Sequence, residues 1–270
     1  MSLFQALILG ILQGATEFLP VSSSGHLVLV PWLLGWQDPG LTFDAMVHWA
    51  TAFAVVAYFW RDWLDLGQAS WEAIRTRSLA SDQARLALLI LLGTIPAALA
   101  GVLLEDFFEG IFSRPPIAAA LLLVTAGLLT ASEKLSCREQ ELEDLTGRDS
   151  LLIGGAQAFA ILPGISRSGA TIATGILTGL RREAAARFSF MLATPIILGA
   201  GLFKLLELIE GGGLTAAAPL LLVGAAAALA TGLACIHLLL RYLRRRPLYP
   251  FAVYCALAGI ACLVVALIRG

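Results

Sequence analysis

The chain has 270 residues, 59% of them hydrophobic and only 14% charged, with a formal net charge of −1. Soluble domains carry charge on about a quarter of their residues, so this composition defines an integral membrane protein rather than a soluble domain. A balance this close to neutral also argues against any nucleic-acid role. Inside lipid the backbone must satisfy its own hydrogen bonds, and the apolar runs are helix-like, so the expected class is all-α and polytopic.

The first apolar region, Met1–Leu34, does not read as one continuous helix. Met1 to Gln13 gives about 18 Å of helix at 1.5 Å per residue, short of a bilayer core of about 30 Å. The proline of "FLPV" then removes a donor and restricts the residue before it. A helix, a turn and a second short helix are expected, forming a re-entrant hairpin. The stretch "QGATEFLPVSSSGH" (Gln13–His26) sits at its centre, and Glu17 is the only formally charged side chain before Gln37. The first basic residue is Arg61, so a secretory signal peptide is not expected.

Six later blocks are long enough to span a bilayer: Phe43–Trp60, Arg85–Leu104, Ile117–Ser132, Phe188–Leu206, Ala216–Leu240 and Pro250–Ile268. Their connections alternate in sign. Arg61, Arg75, Arg77 and Arg85 flank the first, while Glu105, Asp106 and Glu109 occupy the next. Arg181, Arg182, Arg187 and "RYLRRR" (Arg241–Arg246) mark later basic connections. The positive-inside rule assigns basic loops to the cytoplasm and acidic loops to the outside, which also puts the C-terminus outside.

A second broken region, Leu151–Leu180, contains "QAFAILPGISRSG" and a single charge between Ser150 and Leu180, Arg167. It shares with the first a glutamine, Leu-Pro and a Ser-x-Ser-Gly run. Each broken region precedes three spans, an odd number, so the second copy is inverted. The expected architecture is six full spans plus two re-entrant hairpins in an inverted-topology repeat, 1–132 and 151–270, within one membrane domain. Such repeats place their broken helices near the bilayer midplane.

A charge within lipid marks a functional site by default, so Glu17 and Arg167 are expected to face one polar cavity. Around them lie hydroxyls and glycines, namely Ser22, Ser23, Ser24 and Gly25 on one side and Ser166, Ser168, Gly169 and Thr171 on the other. A glycine-flanked turn that opens a helix presents free N–H groups, and a guanidinium matches phosphate oxygens, so together they form an anion site. Gln13 and Glu17 are four residues apart on one helix face. They could hold a hard cation, with substrate phosphates completing its shell; alternatively Glu17 acts as a base or orients His26. Of the three histidines, His26 follows the serines and is the candidate for proton transfer, whereas His48 and His237 read as structural. The four cysteines show no CxxC spacing and read as small packing residues.

"QGATEFLPVSSSGH" matches the (E/Q)xxxE-containing signature of the bacterial undecaprenyl-diphosphate phosphatase family, and "PGISRSGAT" (Pro163–Thr171) resembles its second signature, PGxSRSxxT. The two motifs lie about 140 residues apart, in the family's order, and the resemblance covers nearly the whole chain. It implies a phosphatase that removes the terminal phosphate of undecaprenyl diphosphate, recycling the lipid carrier of peptidoglycan synthesis and conferring bacitracin resistance. By the same resemblance the protein sits in the bacterial plasma membrane, its site opens to the periplasm, and it requires a divalent cation, Mg2+ or Ca2+. Carried over by motif, Gln13, Glu17, Ser23 and His26 serve catalysis, with Gln13 and Glu17 toward the metal. Ser166, Arg167, Ser168 and Thr171, with Ser24, bind the diphosphate. The first acidic motif position is Gln13 here rather than glutamate, which weakens any scheme needing two carboxylates on the metal. Ser23 with His26 or Glu17 as base, His26 itself, and water all stand as candidate nucleophiles. The substrate partner is a polyprenyl diphosphate lipid in the bilayer, with a homodimer as one option for assembly.

Two other families of function bear on the same residues. "SSSGH" is similar to the PSGH motif of the type 2 phosphatidic acid phosphatases, but those enzymes need a later His-x-x-x-Asp. The only later histidine, His237, is followed at that spacing by Arg241, so the reading fails. A prenyl-phosphate flippase or transporter would use the same anion site without hydrolysis.

Overall fold

The computed structural model describes residues 1–104, 114–210 and 214–269. They form eleven α-helices and no named strand. The first hairpin is α1 (Leu3–Phe18) and α2 (Ser23–Leu34). There follow α3 (Leu41–Tyr58), α4 (Trp60–Thr76), α5 (Asp82–Leu103) and α6 (Pro115–Leu135). The second hairpin is α7 (Gly147–Phe159) and α8 (Arg167–Leu177). The chain closes with α9 (Arg182–Glu210), α10 (Leu214–Leu243) and α11 (Tyr249–Arg269). The expected acidic connection at Glu105, Asp106 and Glu109 lies outside the described residues.

Five of these helices, α5, α6, α9, α10 and α11, are each long and apolar enough to cross a membrane. The sixth expected span is α3, which bends by 78° into α4. Residues 61–76 are expected as part of a charged loop; the structure instead makes them, with Trp60, a helix. Trp60, Leu64, Trp71 and Ile74 recur at helical spacing along its exposed face, and Leu66 is buried on the other. Arg61, Asp62, Asp65, Glu72 and Arg75 dilute that pattern enough to hide it from a search for apolar runs.

Both hairpins dock through glycine. On α1, a Cβ at Gly10 would lie 2.3 Å from the Gly224 carbonyl oxygen of α10, and one at Gly14 would lie 2.5 Å from that of Ala228. On α7, a Cβ at Gly154 would lie 2.1 Å from the Gly93 carbonyl oxygen of α5. One turn earlier, the Ser150 hydroxyl donates to the Leu89 carbonyl at 2.5 Å. Absent side chains let backbones approach closely, the usual basis of helix packing in lipid. The numbering rises together in each pair, so α1 runs parallel to α10 and α7 runs parallel to α5. Further pairs, α3 with α9 and with α10, and α6 with α11, enclose the hairpins.

The charged ends of the helices are tied to one another. Glu133, buried near the end of α6, accepts from Arg182 at 2.7 and 2.6 Å, from the Leu248 N–H at 2.9 Å, and from Arg138. Arg181 pairs with Glu141, Arg187 with Asp62 and Arg244 with Glu183. A recess of about 580 Å³ opens among these pairs, away from the hairpin tips. Each of its arginines is paired with a carboxylate, so the recess is lined by ion pairs. The four cysteines are free, with Cys255 and Cys262 buried, Cys235 half-buried and Cys137 exposed.

Candidate active site at the paired hairpin tips

The two tips are built alike. Leu19, ahead of Pro20, takes the extended conformation expected before proline and ends α1. Ser22 then caps α2 with its Oγ accepting the Gly25 N–H at 3.2 Å. In the second hairpin Ser166 caps α8, its Oγ accepting the Gly169 N–H at 2.9 Å. Ser22 sits at φ 72, a left-handed conformation that costs of order 1 kcal/mol or more for a residue with a Cβ. Its hydroxyl oxygen also accepts the Gly164 N–H of the other hairpin at 3.2 Å.

The tips interlock around that contact. Gly164 is at φ 99, and a Cβ there would lie 2.1 Å from the Ala118 carbonyl oxygen, so only glycine fits. Thr125 of α6 pins the same turn: it donates to the Gly164 carbonyl at 2.9 Å and accepts the Ser166 N–H at 3.0 Å. Two helix N-termini therefore open at one junction inside the protein. Each presents first-turn N–H groups without an intrahelical acceptor and a positive dipole end.

Glu17 and Arg167 meet there as expected. Arg167 Nη2 donates to Glu17 Oε1 at 2.6 Å. The other oxygen, Oε2, accepts from Gln13 Nε2 at 2.9 Å and from Ser23 Oγ at 2.6 Å. Glu17 is 4% exposed and Gln13 wholly buried. Arg167 Nη1 donates to the Ser189 carbonyl of α9 at 3.2 Å. Thr171 Oγ1 lies 2.6 Å from Ser189 Oγ and donates back to the Arg167 carbonyl at 2.8 Å. Ser168 Oγ donates to the Leu19 carbonyl of the first hairpin at 3.2 Å, and Ser24 Oγ lies 3.5 Å from Ser22 Oγ. Gln13, Glu17, Ser23 and Arg167 form one contact cluster, flanked by Ser166, Ser168 and Thr171.

The histidines are arranged differently from the sequence-based expectation. Both ring nitrogens of His26 are engaged away from that cluster. Nδ1 donates to the Ser22 carbonyl at 2.7 Å, and Nε2 accepts from the Tyr254 hydroxyl of α11 at 2.7 Å. The two rings stack with centroids 5.7 Å apart. His48, expected to be structural because it lacked acidic or serine-rich company, has both: its Nε2 is 3.4 Å from Ser23 Oγ and 3.4 Å from Glu17 Oε2. Its neighbours arrive from another helix, which spacing along the chain does not show. His237 pairs with Tyr58 at 3.1 Å. Thr125, Ser189 and Tyr254 were also missed, because a lone hydroxyl in an apolar span carries no signal until its partner is placed beside it.

For a cation, the useful feature is Gln13 Oε1, a buried oxygen without a hydrogen-bond partner. Both Glu17 oxygens are occupied by donors, and the described residues contain no cluster of three or more His, Cys, Asp or Glu able to hold a metal. Gln13 and Glu17 therefore suit a hard cation only when phosphate oxygens and water supply most of its shell, as is usual for Mg2+.

Fold and site together define a polytopic membrane protein with a buried glutamate–arginine pair set where the N-termini of two hairpin helices meet. The sequence profile described as "Bacitracin resistance protein BacA" matches residues 6–261, and the chain belongs to that family. Among its relatives, the undecaprenyl-diphosphatase of Pelotomaculum thermopropionicum is 45% identical over 269 residues, covering 100% of this chain and 98% of the relative. That of Thermomicrobium roseum is 43% identical over 274 residues, covering 98% of each. That of Desulforudis audaxviator is 42% identical over 270 residues, covering 100% of each.

Proposed function

We infer that this chain is an undecaprenyl-diphosphatase, releasing inorganic phosphate and undecaprenyl phosphate for carrier recycling in wall synthesis. The observation that carries the reading is the cluster in which Glu17 touches both a serine hydroxyl and the one guanidinium of the anion site. Family membership and the full-length relatives named undecaprenyl-diphosphatase support it.

The chemistry is phosphoryl transfer, where positioning and electrostatic stabilisation are the main tools. Arg167 and the N-termini of α2 and α8 bind the diphosphate. An incoming diphosphate competes with Glu17 for Arg167, and that frees the carboxylate to accept a proton. Ser23 Oγ then attacks the terminal phosphorus while its hydrogen passes to Glu17 Oε2, already 2.6 Å away. The bond from that phosphorus to the bridging oxygen breaks, and the lipid monophosphate leaves with the proton from Glu17. Water next attacks the phosphoserine; Glu17 takes its proton and returns it to Ser23 Oγ as phosphate departs. His26, held between Ser22 and Tyr254, braces the turn that carries Ser23. A divalent cation bound through Gln13 and Glu17, together with substrate phosphate oxygens, would neutralise charge on the diphosphate.

The site faces the periplasm, the prenyl tail lies between helices within the bilayer, and repeats 1–132 and 151–270 are related by inversion. Support for the inversion comes from the packing: each hairpin runs parallel to the middle span of the opposite half, α1 to α10 and α7 to α5. The test is phosphate release from undecaprenyl diphosphate by purified protein in detergent with Mg2+ or Ca2+. Release that stops on chelation and returns with either ion is expected. Folded protein that binds the lipid but releases no phosphate would overturn the reading in favour of transport.

A further inference from the structure

His48 belongs to neither hairpin, yet α3 aims it at the reacting cluster. Its ring orientation is fixed from behind, because Nδ1 lies 2.7 Å from the Asp44 carbonyl oxygen. A carbonyl only accepts, so Nδ1 carries the hydrogen and the neutral ring keeps a lone pair on Nε2. That lone pair lies 3.4 Å from Ser23 Oγ, which is the donor within reach, since Glu17 Oε2 at the same distance only accepts. The helix beneath is firmly seated: Val47 and Thr51 are wholly buried, and the Thr51 hydroxyl donates to the His48 carbonyl at 2.6 Å. One hydroxyl hydrogen on Ser23 thus has two acceptors on the same side, Glu17 at 2.6 Å and His48 a little further away.

We propose that His48 is a positioning residue for Ser23, resting on the phosphatase reading with Ser23 as nucleophile. By offering a second acceptor beside Glu17, it confines the hydroxyl hydrogen to that side and leaves an Oγ lone pair turned toward phosphate held at Arg167. Its effect is greatest once Arg167 has shifted to the diphosphate, when Glu17 has lost the anchor on Oε1. Misplacement of a reacting atom by about 1 Å can lower the rate about 10²-fold, which sets the scale.

The test compares His48→Leu, which fills the space without an acceptor, with His48→Gln, whose amide oxygen can accept from the same hydroxyl. Phosphate release by purified proteins gives kcat and KM, and thermal unfolding in detergent reports the fold. His48→Leu should lower kcat about 10- to 100-fold with KM within about threefold, because orientation rather than substrate binding is lost. His48→Gln should recover at least about tenfold of that loss. Full kcat in His48→Leu, or His48→Gln as slow as His48→Leu at equal thermal stability, overturns the proposal. Wild-type protein is the reference in the same assay. If it releases no phosphate, the phosphatase reading fails and takes this inference with it. If it turns over and His48→Leu equals it, this inference alone fails.

Discussion

The two hairpin tips share one construction and divide the work between them. Each starts its second helix with a serine cap that accepts the N–H of a glycine three residues on, Ser22 from Gly25 and Ser166 from Gly169. The next residue, the first of the helix, is Ser23 in one tip and Arg167 in the other. Three residues before the turn proline stands Glu17 in the first hairpin and Ala160 in the second. Even the left-handed residue differs: Ser22, strained and bonded across to the other tip, against Gly164, which adopts that conformation freely. A single scaffold built twice becomes an asymmetric cluster because single-residue differences give one copy a serine hydroxyl and a carboxylate and the other a guanidinium.

The sharpest way to break that division is to remove each first-turn side chain in turn. Ser23→Ala should abolish turnover to the limit of detection, a loss of about 10⁴-fold or more by analogy with other nucleophile deletions. The assay is phosphate release by protein with wild-type thermal stability. Arg167→Ala should fall less, about 10²- to 10³-fold, the scale of losing one electrostatic donor to the transition state. Arg167→Lys should recover only part of it, since an ammonium lacks the planar fork that spans two phosphate oxygens. Retained turnover with lost stability in Arg167→Ala would mean that the Glu17–Arg167 pair is mere glue between hairpins.

How far this division could be read beforehand depended on where each partner comes from. Glu17, Ser23 and Arg167 were legible because a charge or hydroxyl cluster beside a proline, inside an apolar stretch, stands out within a few residues. The spans were legible for the same reason, and observed α5, α6, α9, α10 and α11 contain or nearly match the expected blocks. His48 was not legible. Its spacing from Asp44 shows only a helical turn, and its link to Ser23 exists only after α3 packs against α1. Helix α4 was hidden differently, since its apolar stripe is interleaved with charge at the level of single residues. His26 shows the reverse case: it directly follows the serines in sequence, but helical geometry bonds its ring to the Ser22 carbonyl and the Tyr254 hydroxyl.

A gentler way to sharpen the comparison is to disturb the contact where the tips meet. Gly164→Ala must place a Cβ 2.1 Å from the Ala118 carbonyl oxygen while holding φ at 99, and both demands act on backbone. A loss of about 2–4 kcal/mol is expected from overpacking and left-handed strain together. It would be read as a lowered thermal transition in detergent, with activity falling in proportion to the folded fraction. A variant as stable as wild type would show that the tips have room to part, and that the site does not depend on their close approach.

The smallest expected effect concerns the paired glutamines. Gln13 donates to Glu17, whereas Gln157, 3% exposed, leaves both of its amide atoms without a partner. It lies one turn beyond Gly154 on the face of α7 that packs against α5. Burying an unsatisfied polar group costs about 1–3 kcal/mol, and replacing it with an apolar group of similar shape recovers much of that. Gln157→Leu is therefore expected to raise stability by about 1 kcal/mol, a shift of about 2–4 °C in the transition for a chain of this size, with turnover unchanged. Gln13→Leu should do the opposite, lowering turnover while leaving the transition near wild type, because it strips a donor from Glu17 and the free oxygen that suits a cation. If Gln157→Leu instead loses both stability and activity, the second glutamine is engaged in the site as the first is, and the division of work between the hairpins is less complete than the first-turn residues indicate.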